Sequence, residues 1–249
     1  MNKVIAVVGP TGSGKTKLAV ELARKFNGVI ISADSRQVYR GLDVGTNKEG
    51  TPGRWNGCPA RIIDDIPQLL IDIVDPGEQF TLNNWLTQAR DVLELIFKAG
   101  RLPIVVGGTG LYVSALLDGY QLGGGRFAKN NQPVDFQSLV LMPDADRAVL
   151  YERSDTRCAR IFDALIDETK NLLDSGLSGD WLNKIGLDYR YAFKSISGDL
   201  DRDEAVKQFQ AASRAYIRRQ LTWWRHHGNP VLIKTTAEAE LLGEKFLLS

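Results

Sequence analysis

Three features of the 249-residue sequence predict an α/β protein, a doubly wound and mainly parallel sheet with C-terminal helices. Short apolar runs at residues 4–8, 29–32, 69–74, 103–106, 136–141 and 230–233 read as strands. Their apolar character is continuous rather than alternating, as expected when helices cover both faces of a parallel sheet. Helical patterns at residues 16–26, 82–99, 109–117, 144–173 and 203–225 separate most of these runs. Strand–helix alternation with right-handed crossovers winds such a sheet, and ligands then sit at the carboxyl ends of its strands. The third feature is Gly9-Pro10-Thr11-Gly12-Ser13-Gly14-Lys15-Thr16, placed between the first strand and the first helix.

That octapeptide has the strand–turn–helix context of a phosphate-binding P-loop, so the fold is of the P-loop nucleoside-triphosphate-hydrolase type. Glycines allow backbone N–H groups to turn inward around an anion, and the helix N-terminus adds partial positive charge. Lys15 adds a full charge, and the Thr16 hydroxyl can ligate Mg²⁺. The expected ligand is a diphosphate or triphosphate.

The length suits a single domain over residues 1–249, interrupted by a glycine-rich linker at about 121–135. Residues 46–56 are polar and glycine-rich and are expected to form a mobile loop. An apolar content of 43% with 24% charged residues is ordinary for a globular protein. Cys58 and Cys158 have no CxxC spacing, so they read as reduced thiols rather than a disulfide or zinc framework. No apolar run approaches the ~20 residues of a membrane span, and the first strand begins too early for a leader to precede it. A cytoplasmic protein is the expectation. The net charge of +1 decides nothing about nucleic acid, because local patches govern such contacts.

Asp34 ends the second strand, where a carboxylate can be a metal ligand, a general base or the cap of a following turn. The run at residues 103–110 ends in Gly107-Gly108-Thr109-Gly110, without the acid a triphosphatase uses to hold the Mg²⁺ water shell. Asp72 and Asp75 are the substitutes in sight. Thr109 offers a hydroxyl at a helix start. Arg214, Arg218 and Arg225 share one helix face, either as a solvated stripe or as an anion or RNA-backbone contact. Arg190 follows a turn at Gly186 and can bring another guanidinium to a diphosphate, whereas His226 and His227 read as helix caps.

Taken together, GPTGSGKT at 9–16, SADSRQVYRGLDVGTNK at 32–48, LIDIVDPGEQFTL at 70–82, GRLPIVVGGTGLYVSALLDG at 100–119 and SRAYIRRQLTWWR at 213–225 resemble the tRNA dimethylallyltransferase (tRNA isopentenyltransferase) family. The resemblance covers residues 1–120 and 136–233. It implies transfer of a dimethylallyl group from dimethylallyl diphosphate to the exocyclic amine of the adenosine next to the anticodon in tRNA. On that reading Gly9 through Thr16 hold the donor diphosphate, with Mg²⁺ on Thr16. Asp34 is the general base, Thr109 orients the reacting centre, and Arg190 joins Lys15 and Thr16 on the leaving group. Ser35, Arg36, Gln37, Ser213, Arg214 and Arg218 are the implied contacts to the anticodon arm, while Gln220, Thr222 and Trp223 fall in the same signature as packing residues.

Three departures stand out. The family's helical insertion is reduced to the short linker, which implies a monomer with a weaker RNA grip. The family's PHHLID is Pro67-Gln68-Leu69-Leu70-Ile71-Asp72, without either histidine. Its GYR is Asp188-Tyr189-Arg190, which puts a carboxylate near the expected diphosphate. Two other readings stay beside this one: a degenerate, non-catalytic RNA- or nucleotide-binding relative, and a P-loop small-molecule kinase.

Overall fold

The P-loop strand lies inside an eight-stranded sheet in this computed structural model, which describes residues 1–121 and 133–249. The N-terminal part runs β1 (Asn2–Val8), α1 (Lys15–Lys25), β2 (Gly28–Ser32), β3 (Thr51–Trp55), β4 (Cys58–Ile63) and β5 (Ile66–Leu69). It continues with α2 (Leu82–Lys98), β6 (Leu102–Gly107), α3 (Gly110–Leu117) and β7 (Phe136–Pro143). The C-terminal part is α4 (Arg147–Asp174), α5 (Gly179–Ile185), α6 (Leu187–Ile196), α7 (Arg202–His226), β8 (Val231–Ile233) and α8 (Thr236–Leu248). The strand order is β3-β4-β5-β2-β6-β1-β7-β8. From β5 to β8 the pairing is parallel, and only β3–β4 and β4–β5 are antiparallel. The α/β class and the mainly parallel sheet are as the sequence predicts.

Strand geometry sends alternate side chains to opposite faces. Val4, Ala6 and Val8 of β1 join a core shared with Trp85 and Leu86 of α2, Phe162 and Leu165 of α4, and Tyr189, Phe209 and Trp224. Ile5 and Val7 join the other core, against Leu18, Leu22 and Ala23 of α1 and Ala239 of α8. Both faces are therefore buried, which explains the unbroken apolar runs. The carboxyl ends of β1, β2 and β6 open on one side of the sheet, and α4, α6 and α7 pack together over that side.

Two expectations fail around the sheet edge. Residues 51–55, inside the segment expected to be a mobile loop, form β3 of an antiparallel hairpin with β4. The turn residues Asn56 and Gly57 both have positive φ (44° and 82°), the geometry that matches the twist of a two-residue hairpin. The strand expected at residues 69–74 is displaced: β5 ends at Leu69, because Leu70 (φ 61°) and Asp72 (φ 55°) leave the extended region. The linker expected at about 121–135 lies largely outside the described residues. Helices α5, α6 and α8 are additions to the expected set.

Candidate active site

The P-loop owes its shape to backbone rather than side chains. Gly12 (φ 81°) and Gly14 (φ 86°) adopt left-handed conformations, and Gly14 caps α1 without a side-chain hydrogen bond. The first turn of α1 therefore presents its N–H groups to the space above it. Lys15 Nζ donates to the Pro10 carbonyl at 2.7 Å, folding back over the loop. Desolvation lowers its ammonium to about 8, an effect partly offset by the charge of Asp34. The Ser13 hydroxyl is enclosed with no hydrogen-bond partner among the described residues. An anion seated in the loop would relieve both groups, since a buried polar atom without a partner is costly.

A cavity of about 1010 Å³ opens from this loop. Thr11, Gly12, Gly14, Lys15 and Thr16 line one end, and Asp34, Ser35, Arg36 and Gln37 line the adjacent wall. Asp34 does serve as a turn cap: its Oδ1 accepts the N–H groups of Arg36 (2.8 Å) and Gln37 (3.3 Å). Its second oxygen, Oδ2, accepts no hydrogen bond among the described residues, so capping and proton acceptance are compatible in one carboxylate. Thr109 does not line the cavity. Its hydroxyl accepts the N–H of Ser35 at 3.3 Å and so joins the turn after β2 to the start of α3.

The far wall comes from the C-terminal helices. Arg190 on α6 lines the cavity, with Nε donating to the Asn183 carbonyl at 2.8 Å. Ser213 of α7 lines it too, but Arg214 does not, because its guanidinium is paired with Asp155 at 2.5 Å. Arg218 is exposed and outside the cavity, whereas its neighbour Arg219 lines it. Arg153, Arg157 and Arg160 of α4 also line it and are absent from the sequence expectation. Their i, i+4, i+7 spacing on a predicted helix is the signal that could have revealed them. Among the described residues the lining carries nine lysine and arginine side chains against four carboxylates, so a chain of net charge +1 concentrates positive potential here.

Gln220 holds the two glycine-rich turns together. Its Oε1 accepts the Thr11 N–H (3.1 Å) and its Nε2 donates to the Gly108 carbonyl (2.9 Å). A Cβ at Gly108 would collide with that amide, which gives the glycine a packing reason. His227 behaves as a cap, with Nδ1 3.0 Å from the Trp223 carbonyl. Asp72 and Asp75 are not substitute metal acids: Asp72 pairs with Lys48 and Arg61, and Asp75 with Arg40, all away from the P-loop. Asp188 does reach the cavity, paired with Arg157 at 3.1 Å, and burial pushes its carboxyl above the usual range against the pull of that guanidinium.

Among the described residues no cluster of His, Cys, Asp and Glu forms a metal cage. The donors that do fit a divalent cation are the Thr16 hydroxyl and the Asp34 carboxylate, both on the cavity wall. That set suits Mg²⁺, which is commonly held by one or two protein oxygens together with substrate phosphates.

The family model described as IPP transferase matches residues 37–130 and 124–227, and one described as isopentenyl transferase matches residues 2–53. The tRNA dimethylallyltransferase of Lactococcus lactis subsp. lactis (strain IL1403) is 34% identical over 275 aligned residues, covering 90% of each chain. That of Streptococcus gordonii is equally similar over the same extent. The crystal structure of tRNA isopentenylpyrophosphate transferase from Bacillus halodurans superimposes with a TM-score of 0.84 at 29% identity, over all of this chain and 96% of the other. Staphylococcus epidermidis tRNA delta(2)-isopentenylpyrophosphate transferase gives 0.82 at 25% identity, with full coverage of both. A eukaryotic dimethylallyltransferase acting on tRNA shares the fold, with a TM-score of 0.73 at 19% identity over 94% of this chain and 74% of the other. With its P-loop, its Asp34 wall and these relatives, the chain belongs to the IPP transferase family, that of the tRNA dimethylallyltransferases.

Proposed function

We propose that this protein transfers a dimethylallyl group from dimethylallyl diphosphate to the exocyclic amine of the adenosine next to the anticodon in tRNA. The observation that carries the reading is the single cavity in which a P-loop and the carboxylate of Asp34 face the same space. The amine nitrogen forms a bond to C1 of the dimethylallyl group as the C1–O bond to the diphosphate breaks. Asp34 takes the proton the amine loses, and the electron pair of the broken bond leaves with the diphosphate. Lys15, the P-loop N–H groups and Arg190 hold that developing charge, the kind of pre-aimed stabilisation that lowers a charge-separating barrier. Mg²⁺ bound through Thr16 would share the same charge.

Ser35, Arg36 and Gln37 line the wall beside Asp34 and are assigned to the target nucleotide, which must leave its stack to reach the carboxylate. Ser213 lines the far wall of the same cavity. Arg214 and Arg218 are reassigned: the first braces α7 to Asp155 and the second lies outside the cavity, while Arg219 takes the RNA-facing role. A single domain with a shortened linker at 121–135 is part of this proposal. It is supported by the IPP transferase match arriving in two segments that meet at 124–130. Monomeric, cytoplasmic action is the accompanying reading, and no helix among the described residues is long and apolar enough to cross a membrane.

The test is competition for the P-loop. Dimethylallyl diphosphate should bind in the presence of Mg²⁺ and resist displacement by ATP, and the bound donor should be consumed on adding an anticodon stem-loop RNA. Tight ATP binding with phosphoryl transfer would make the protein a kinase. Donor and RNA binding without turnover would make it a non-catalytic relative.

A further inference from the structure

Residues 42–46 connect the Gln37 turn to the edge hairpin, and α4 grips them along one face. Arg157 and Glu168 are eleven residues apart, three helical turns, and so project from the same side of α4. Arg157 Nη2 donates to the carbonyls of Val44 (3.2 Å) and Gly45 (2.7 Å). Glu168 accepts the N–H groups of Asp43 (2.9 Å), Val44 (2.8 Å) and Gly45 (3.3 Å). One guanidinium thus takes the carbonyls of the segment and one carboxylate takes its amides. Two successive residues of α6 brace the pair: Asp188 accepts from Arg157 Nη1 at 3.1 Å, and the Tyr189 hydroxyl donates to Glu168 at 2.6 Å.

The segment so held ends at Thr46, whose carbonyl accepts from Gln37 Nε2 at 3.1 Å. The other end of that amide, Oε1, accepts from the Ser32 hydroxyl at 3.0 Å. These two partners differ in what they dictate. A serine hydroxyl can donate or accept, so it is compatible with either orientation of the amide. A carbonyl can only accept, so the Thr46 carbonyl alone decides which end of Gln37 is nitrogen. Each partner uses half of the amide's capacity, leaving one N–H and one oxygen lone pair free. A fixed donor–acceptor pair of this kind is what a glutamine uses to read the edge of adenine.

We propose that the Arg157–Glu168 clamp, braced by Asp188 and Tyr189, is a specificity device that fixes the donor–acceptor sense of Gln37 toward the target base. Arg157 and Asp188 are positioning residues that act through Thr46. The inference rests on the assignment of Gln37 to the target nucleotide made above.

The test measures binding of anticodon stem-loop RNAs carrying adenosine or inosine at the target position, with dimethylallyl diphosphate affinity as the control for an intact site. Inosine presents an acceptor where adenosine presents its amine donor, so it reports the sense of the amide. The variant is Arg157→Met with Asp188→Asn, which avoids stranding a buried carboxylate. The wild type should prefer adenosine RNA about tenfold or more. The clamp variant should narrow that preference to within about threefold while the donor still binds, and should add nothing in a Gln37→Ala background. Should it not fold, Asp188→Asn alone, which keeps an acceptor for Arg157, should narrow the preference to a smaller degree. A clamp variant with the wild-type preference, beside a Gln37→Ala variant that has lost it, overturns the clamp. A Gln37→Ala variant that keeps the preference overturns the assignment of Gln37 itself.

Discussion

Replacing Asp34 separates two tasks that the structure gives to one carboxylate. Asp34→Asn keeps an oxygen in the Oδ1 position, so the N–H groups of Arg36 and Gln37 remain satisfied and the turn after β2 survives. It loses the negative charge and, with it, the capacity to take a proton. Loss of a positioned base costs about 10²- to 10⁴-fold, equivalent to about 3–5 kcal/mol of barrier. Asp34→Ala loses the base and both turn hydrogen bonds, at about 1 kcal/mol each in stability. Both variants also remove the negative charge that supports the Lys15 ammonium, which desolvation already holds at about 8. Comparison therefore belongs near pH 7 with saturating donor, by single-turnover transfer of radiolabelled dimethylallyl diphosphate to an anticodon stem-loop. The expected result is at least a hundredfold loss in both variants and a lower melting temperature only in Asp34→Ala. Transfer by Asp34→Asn within threefold of wild type would refute the base assignment.

Three further expectations follow from the same geometry. Because Lys15 in the free protein is charged below about pH 8 and neutral above it, and a diphosphate favours the charged form, donor affinity should be level below pH 8 and weaken about tenfold per unit above it; an affinity constant from pH 7 to 9.5 contradicts this. Gln220→Leu takes the acceptor from the Thr11 N–H and one of two donors from the Gly108 carbonyl, which keeps the Gly110 N–H, so it should cost about 1–3 kcal/mol and lower Tm by about 2–10 °C; calorimetry showing no change would remove its bridging role. Arg219→Ala should weaken RNA binding and reduce the salt slope by about one, while Arg214→Ala, already neutralised by Asp155, should leave the slope unaltered; equal slopes for wild type and Arg219→Ala would return Arg219 to a solvated surface.

The parallel core was legible because its determinants are local. Apolar runs, a glycine-rich turn and helical periodicity each occupy a few consecutive residues, and the strands they predict are found as β1, β2, β6, β7 and β8. The edge hairpin is local too: Asn56-Gly57 between Trp55 and Cys58 is a hairpin signal that the polar composition of the segment conceals. The site was half legible for a different reason. The P-loop, Asp34 and Gln37 come from segments that turn at strand ends, where sequence position fixes spatial position. The opposite wall depends on how α4, α6 and α7 pack, so adjacent arginines on one helix meet different fates. Arg218 faces away while Arg219 faces in, and Arg214 is consumed by Asp155, a partner 59 residues earlier. Such pairings are set by tertiary packing and leave little trace in spacing.

Dimethylallyl transfer is read directly by incubating the wild-type protein with Mg²⁺, radiolabelled dimethylallyl diphosphate and a tRNA bearing adenosine next to the anticodon, in a single turnover. Label should appear on the exocyclic amine of that adenosine, with stoichiometric release of diphosphate. Donor bound but no label transferred would contradict it, and would leave a P-loop cavity that holds both ligands without joining them.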